Sequence, residues 1–113
     1  MARVRHPTIA DVFAELANGK IVECAITHPK QRVYGLYDQN TGVIAVNRYP
    51  ADLADTLTHE SLHRRYPKWG EKRIARETRY LMRRMSDDDV KNICRSYRRR
   101  ACRLRRTVRL NET

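Results

Sequence analysis

Apolar residues Ile9, Val12, Phe13 and Leu16 recur at i, i+3, i+4 and i+7, the spacing of one face of a helix. Thr8 is placed to cap that helix, and Asn18-Gly19 to end it. From Lys20 the period changes. Ile21–Thr27 reads as a strand ending at His28-Pro29, and Val33–Tyr37 and Val43–Asn47 read as two more, joined as a hairpin by the turn Asp38–Gly42. After Tyr49-Pro50 the pattern is helical again, with Asp52 and Asp55 where a helix N-terminus favours negative charge, and it continues through Leu53, Leu57, His59, Leu62 and His63 to Tyr66-Pro67. Gly70 marks a break, and Ile74, Thr78, Leu81 and Met85 form one stripe of a second helix starting near Glu71. Ser86 followed by Asp87, Asp88 and Asp89 opens a last helix through Ile93, Cys94 and Tyr97, which the spacing carries on to Ala101 and Leu104, with a frayed tail from Arg105. These elements predict an α+β fold.

At 113 residues the expected organisation is one domain over 1–113, whose basic helical segment covers about 87–110. The composition, 41% hydrophobic and 33% charged with four Gly and four Pro, excludes collagenous and low-complexity classes. No apolar run approaches the roughly 20 residues of a membrane span, and residues 1–20 lack a signal-type apolar core, so the expected location is cytoplasmic, without membrane. Cys24, Cys94 and Cys102 form no C-x-x-C pair and are expected to be reduced, with Cys94 and Cys102 sharing one face of the last helix. The net charge of +11 changes the picture more. Residues 1–63 carry six basic and seven acidic side chains, and residues 64–113 carry eighteen and six. All the excess lies in the second half.

The segment with candidate chemistry is His59-Glu60-Ser61-Leu62-His63, an H-E-x-x-H pattern inside a predicted helix. Residues four apart stand one turn above each other, so both imidazoles can converge on one tetrahedral ion. Glu60 points about 100° away, beside the ion instead of onto it. From there a carboxylate can take a proton from metal-activated water and pass it to a leaving amine. A third ligand is expected from the next helix. With Ile74 at zero, Glu71 falls at about 60° and Glu77 at about −60°, so Glu71 lies within the apolar stripe and in the first turn, whereas Glu77 flanks it and suits an ion pair with Arg73.

The stretch His59–Ile74, with H-E-x-L-H, then Tyr66-Pro67, then an acid three residues before an aliphatic, resembles the minimal zincin-type metallopeptidase domains common in phage and prophage proteins. The likeness extends more loosely from Tyr34 to Met85, about half the chain. It implies a small zincin-like fold, zinc held by His59, His63 and Glu71, and Glu60 as the catalytic base. Tyr66 and Trp69 stand where the longer metzincin pattern has glycine and a third histidine, which excludes that branch. Arg64 is charged where the zincin pattern usually has an uncharged residue. The resemblance also implies a strand edge that pairs with peptide substrate, for which Val43–Asn47 is the candidate, and a group to stabilise the oxyanion, from Tyr66, Tyr80, Tyr97 or His28.

Arg95, Arg98, Arg99, Arg100, Arg103 and Arg106 crowd the C-terminal segment, and guanidinium groups pair well with phosphate. The opposing view is a solvated face balanced by Asp87, Asp88 and Asp89. No helix-turn-helix or zinc-finger pattern accompanies the arginines, so any nucleic-acid contact is expected to be non-specific. Two functions follow from the sequence: a zinc-dependent peptidase acting on a peptide or protein substrate, or a nucleic-acid-binding accessory protein with a structural or vestigial metal site. A metal-free interaction protein is the third.

Overall fold

The computed structural model describes residues 6–47 and 52–110, leaving Tyr49-Pro50 and the side chain of Arg106 outside the described set. In chain order the elements are α1 (Ile9–Asn18), β1 (Ile21–Thr27), β2 (Gly35–Asp38), β3 (Val43–Asn47), α2 (Leu53–Arg65), α3 (Glu71–Arg84), α4 (Asp87–Arg100) and β4 (Cys102–Arg109). The architecture is α+β. Local chemistry sets most boundaries. Thr8 and Asp11 form a reciprocal capping box at α1, and Ser86 and Asp89 form another at α4. The Asp52 side chain accepts from the Asp55 amide at the start of α2. Gly42, at φ 71°, turns the β2–β3 hairpin and donates its amide to the Asp38 carbonyl at 2.8 Å.

The sheet has the order β2-β3-β1-β4. β2 and β3 are antiparallel, whereas β1 runs parallel to both β3 and β4, so the β3-to-β4 connection is the three-helix run α2-α3-α4. Ile21, Ile44 and Val46 face the helices and pack with Val12, Leu16, Leu57, Leu62, Ile74, Leu81 and Ile93 in one core. Val22, Cys24, Val43 and Ala45 face the other way, where only strand and loop residues line the surface.

Two expectations at the C-terminus are corrected. The last helix stops at Arg100, so the basic segment is not helical to residue 110, and Cys102–Arg109 is a strand and not a frayed tail. The i, i+4, i+7 series Tyr97, Ala101, Leu104 coincides with a period-two series Cys102, Leu104, Val108, and the open edge of β1 decides between them by offering backbone partners. Glu23 pairs with Arg103 and Ala25 with Thr107, so β4 bulges between those pairs. Cys94 and Cys102 therefore share no helix face, and no disulfide links any of the three cysteines among the described residues.

Arg64 fastens these layers. Its side chain is 9% exposed. Nε donates to Glu15 Oε1 at 2.9 Å, one terminal nitrogen donates to the carbonyls of Lys20 and Gly42 at 3.2 Å each, and the other donates to the Glu15 carbonyl. One guanidinium thus ties α2 to α1, to the start of β1 and to the hairpin turn. Gly19 makes room for it, since a Cβ there would lie 1.9 Å from Arg64 Cζ.

Removing one partner of a buried ion pair strands the other charge. Arg64→Ala is expected to lower the free energy of unfolding by about 3 kcal/mol in urea titrations at neutral pH. Arg64→Lys is expected to leave most of that loss, because an ammonium cannot span the same fork of acceptors.

Candidate metal centre

α2 carries His59 and His63 one turn apart, with ring centroids 4.9 Å from each other at an interplanar angle of 63°. The chain then turns through Tyr66–Gly70, which folds α3 back so that its first residue, Glu71, meets both rings. Stacking holds the turn. Tyr66 and Trp69 lie face to face at 3.9 Å, and the Arg73 guanidinium sits 3.9 Å over the Trp69 ring. Glu71 Oε1 is 2.6 Å from His63 Nε2, and Glu71 Oε2 is 3.3 Å from His59 Nε2. One donor atom from each of the three residues lies within 4.8 Å of the others.

That spacing suits a metal ion. Ligand distances of about 2.0–2.1 Å in a tetrahedron place donors roughly 3.4 Å apart; the Glu71–His59 pair stands at 3.3 Å, whereas the 2.6 Å between Glu71 and His63 is a hydrogen-bond distance that an ion would widen. The set of two imidazoles and one carboxylate is suited to a divalent first-row cation. His59 titrates below the usual histidine range because burial and the neighbouring His63 disfavour its charged form, with Glu71 partly opposing them. A neutral imidazole is the form that ligates.

Glu60 lines the same cleft, together with Gly35, Leu36, Tyr37 and Gln39 of the hairpin. It is 7% exposed, and its pKa is pushed up to about 8, first by burial and then by the charge of Glu71. A cation held by the triad would favour the ionised form. Glu60 owes its position to a glycine: a Cβ on Gly35 would lie 2.8 Å from Thr56 Cγ2 and 3.1 Å from Glu60 Cγ. β2 can approach α2 this closely only without a side chain there.

Glu77 is placed elsewhere. It is 1% exposed and its Oε2 lies 2.8 Å from Nδ1 of His6, which stacks on Tyr80 at 4.0 Å, so it is neither a third ligand nor a solvated partner of Arg73. Arg73 is over Trp69 instead. The four oxyanion candidates are also occupied away from the cleft. The Tyr66 hydroxyl donates to Asp11 at 3.4 Å, Tyr80 is stacked between His6 and Arg84, Tyr97 donates to Glu23 at 2.8 Å, and His28 Nδ1 accepts from the Lys30 amide. Burial and the bond to Glu23 raise the Tyr97 pKa far above the usual phenol value. The side chain the sequence reading missed is Tyr37, which lines the cleft from β2. Its signal is the two-residue alternation with Gly35, visible once Gly35 is known to face α2.

The strand expectation changes too. Val43–Asn47 is paired on both sides, and β2 is the edge strand beside the centre. Arg95, Arg98, Arg99, Arg100 and Arg103 are exposed on α4 and β4, apart from the residues lining this cleft. Among the described residues, no helix is long and apolar enough to cross a membrane. Comparison with protein-family models, curated proteins and solved structures returns no match for this chain. The arrangement is compatible with a zincin-like centre on its geometry alone.

Titration with Zn²⁺ is expected to saturate near one equivalent. His63→Ala and Glu71→Ala should each weaken binding by about 100-fold or more, since even residues that only orient ligands are worth roughly 10–100-fold. Glu77→Gln should leave it within about threefold, as read by competition with a chromogenic chelator. Gly35→Ala is expected to cost about 1–3 kcal/mol of stability in urea titrations, as overpacking does.

Proposed function

We propose that this chain is a zinc-dependent peptidase. The observation supporting the reading is the convergence of His59, His63 and Glu71 within 4.8 Å in a cleft that also contains the buried carboxylate of Glu60, which has no hydrogen-bond partner among the described residues. His59, His63 and Glu71 would hold the zinc. Bound there, zinc supplies a Lewis acid that polarises a carbonyl and makes water acidic enough to attack near neutral pH.

The remaining work falls to the chain. Glu60 takes a proton from the attacking water and returns it to the departing amine, which requires a carboxylate facing the reacting atoms and shielded from bulk solvent. Among the described residues the outer edge of β2 is unpaired and runs past the centre, so an extended peptide can add to the sheet there by main-chain hydrogen bonds. Tyr37 and Gln39 are the donors on that strand and its turn nearest the cleft, and Tyr37 is the better placed to stabilise a developing oxyanion, since Gly35 and Tyr37 share a strand face. The cleft of about 350 Å³ is open and mainly polar, in keeping with recognition through the backbone of the substrate.

Glu60→Gln keeps the shape of the side chain and removes the base. It is expected to lower hydrolysis of an unstructured protein substrate by roughly 10²–10⁴-fold while zinc content and the circular dichroism spectrum stay the same. Unchanged hydrolysis in a zinc-loaded Glu60→Gln protein would refute the role of Glu60. Tyr37→Phe should reduce kcat by about 10²-fold with little change in KM.

A further inference from the structure

Some arginines of the second half are engaged within the fold, and others are not. Arg64 and Arg65 are engaged by Glu15 and Asp11, Arg73 covers Trp69, and Arg84 covers Tyr80. Arg95, Arg98, Arg99 and Arg100 of α4 make no hydrogen bond or ion pair among the described residues, and all are exposed. Three of them meet in one place. Asn92, Arg95, Ser96, Arg99 and Arg100 line one side of a groove of about 570 Å³, and Ala17, at the end of α1, lines the other. Arg98 is outside it.

We propose that this groove is a binding site for the phosphodiester backbone of nucleic acid. Among the described residues its lining presents three guanidinium groups, one amide and one hydroxyl, with no carboxylate. Guanidinium, amide and hydroxyl groups are the side chains that phosphate oxygens and sugars accept from. The described carboxylates of α1 and α4 are engaged or lie away from the groove. Asp11 and Glu15 of α1 turn towards α2, where Arg64, Arg65 and Tyr66 hold them. Asp87, Asp88 and Asp89 lie at the opposite end of α4, and at 1.5 Å per residue Asp88 is about 10 Å from Arg95 and about 16 Å from Arg99 along the axis, beyond the screening length of about 8 Å at physiological salt. Asp89 is further occupied in capping Ser86.

The same face argues against a lipid surface. An interfacial helix exposes an apolar side, whereas Ile93 and Tyr97 of α4 are buried and Val90 and Cys94 pack against the core. The positive field continues onto β4, where Arg103 is 85% exposed and Arg105 and Arg109 are exposed as well. Arg103 stays on the helix side of the sheet, 3.6 Å from the Glu23 carboxylate that Tyr97 also bonds. Duplex therefore lies along α4 with its backbone in the groove, and the site is independent of the metal centre.

The test uses the full chain and a fluorescein-labelled 20-base-pair duplex, followed by anisotropy from about 50 to 300 mM salt. Affinity is expected to fall steeply with salt. Arg95→Gln with Arg99→Gln should weaken binding by about 10-fold or more and make the slope of log K against log salt shallower by about 2. Arg76→Gln with Arg79→Gln, which removes equal charge from the exposed side of α3, should change it by less than about threefold. In parallel, amide shifts in the wild-type protein on adding duplex should cluster at Ala17, Asn92, Ser96 and Arg99, a readout that needs no variant. Equal weakening by the two pairs, shifts centred elsewhere, no binding at low salt, or tighter binding to phosphatidylserine vesicles or to poly-glutamate than to duplex would each overturn the proposal.

Discussion

A single buried guanidinium sets the frame in which the rest of the molecule is assembled. Arg64 reaches from α2 to the Glu15 carboxylate, to the end of α1, to the entry of β1 and to the hairpin turn, and the open space at Gly19 lets it pass. Burying that charge is favourable only because it is paired and its remaining donors meet carbonyl oxygens. The residue directly before it is His63. The placement of α2 against the sheet and the placement of a candidate metal ligand are therefore one event. A charged residue that departs from the zincin pattern has become the fastening of the motif helix.

The cleft is assembled from three approaches that depend on each other. The Tyr66–Trp69–Arg73 stack shapes the turn after α2 and presents Glu71 to both imidazoles. Gly35 lets β2 come against α2 closely enough to enclose Glu60. The hydroxyl of Tyr66 is used on Asp11, so the same aromatic that shapes the turn also joins α1. Enclosure raises the proton affinity of Glu60, and a divalent cation held by the triad would act in the opposite direction.

Charge is organised by function more than by amount. Acidic residues of α1 neutralise only the arginines that fasten α2, and those of α4 stabilise its N-terminus. The far end of α4 and the β4 edge strand keep an unbalanced positive surface, where three arginines also favour the C-terminal end of the helix dipole. An arginine-rich edge strand also resists pairing with another chain, because like charges would be brought together along the ladder.

Elements whose boundaries rest on local chemistry could be read from the order of residues. The capping boxes at Thr8 and Ser86, the turn at Gly42, the break at Gly70 and the one-turn spacing of His59 and His63 act within a few residues, and the α+β class followed from them. Glu71 is legible as the nearer acid because it lies within the apolar stripe and in the first turn after the break, where it meets both histidines. Long-range contacts answered the other questions. Residues 102–109 fit two periods, and the vacant edge of β1 selected the strand. The edge status of β2, and with it the place of Tyr37, depends on strand order, which no local pattern encodes. Glu77 is solvated on a helical wheel but buried by His6, 71 positions away. A wheel records angles about one axis, whereas burial depends on which other elements arrive on that side.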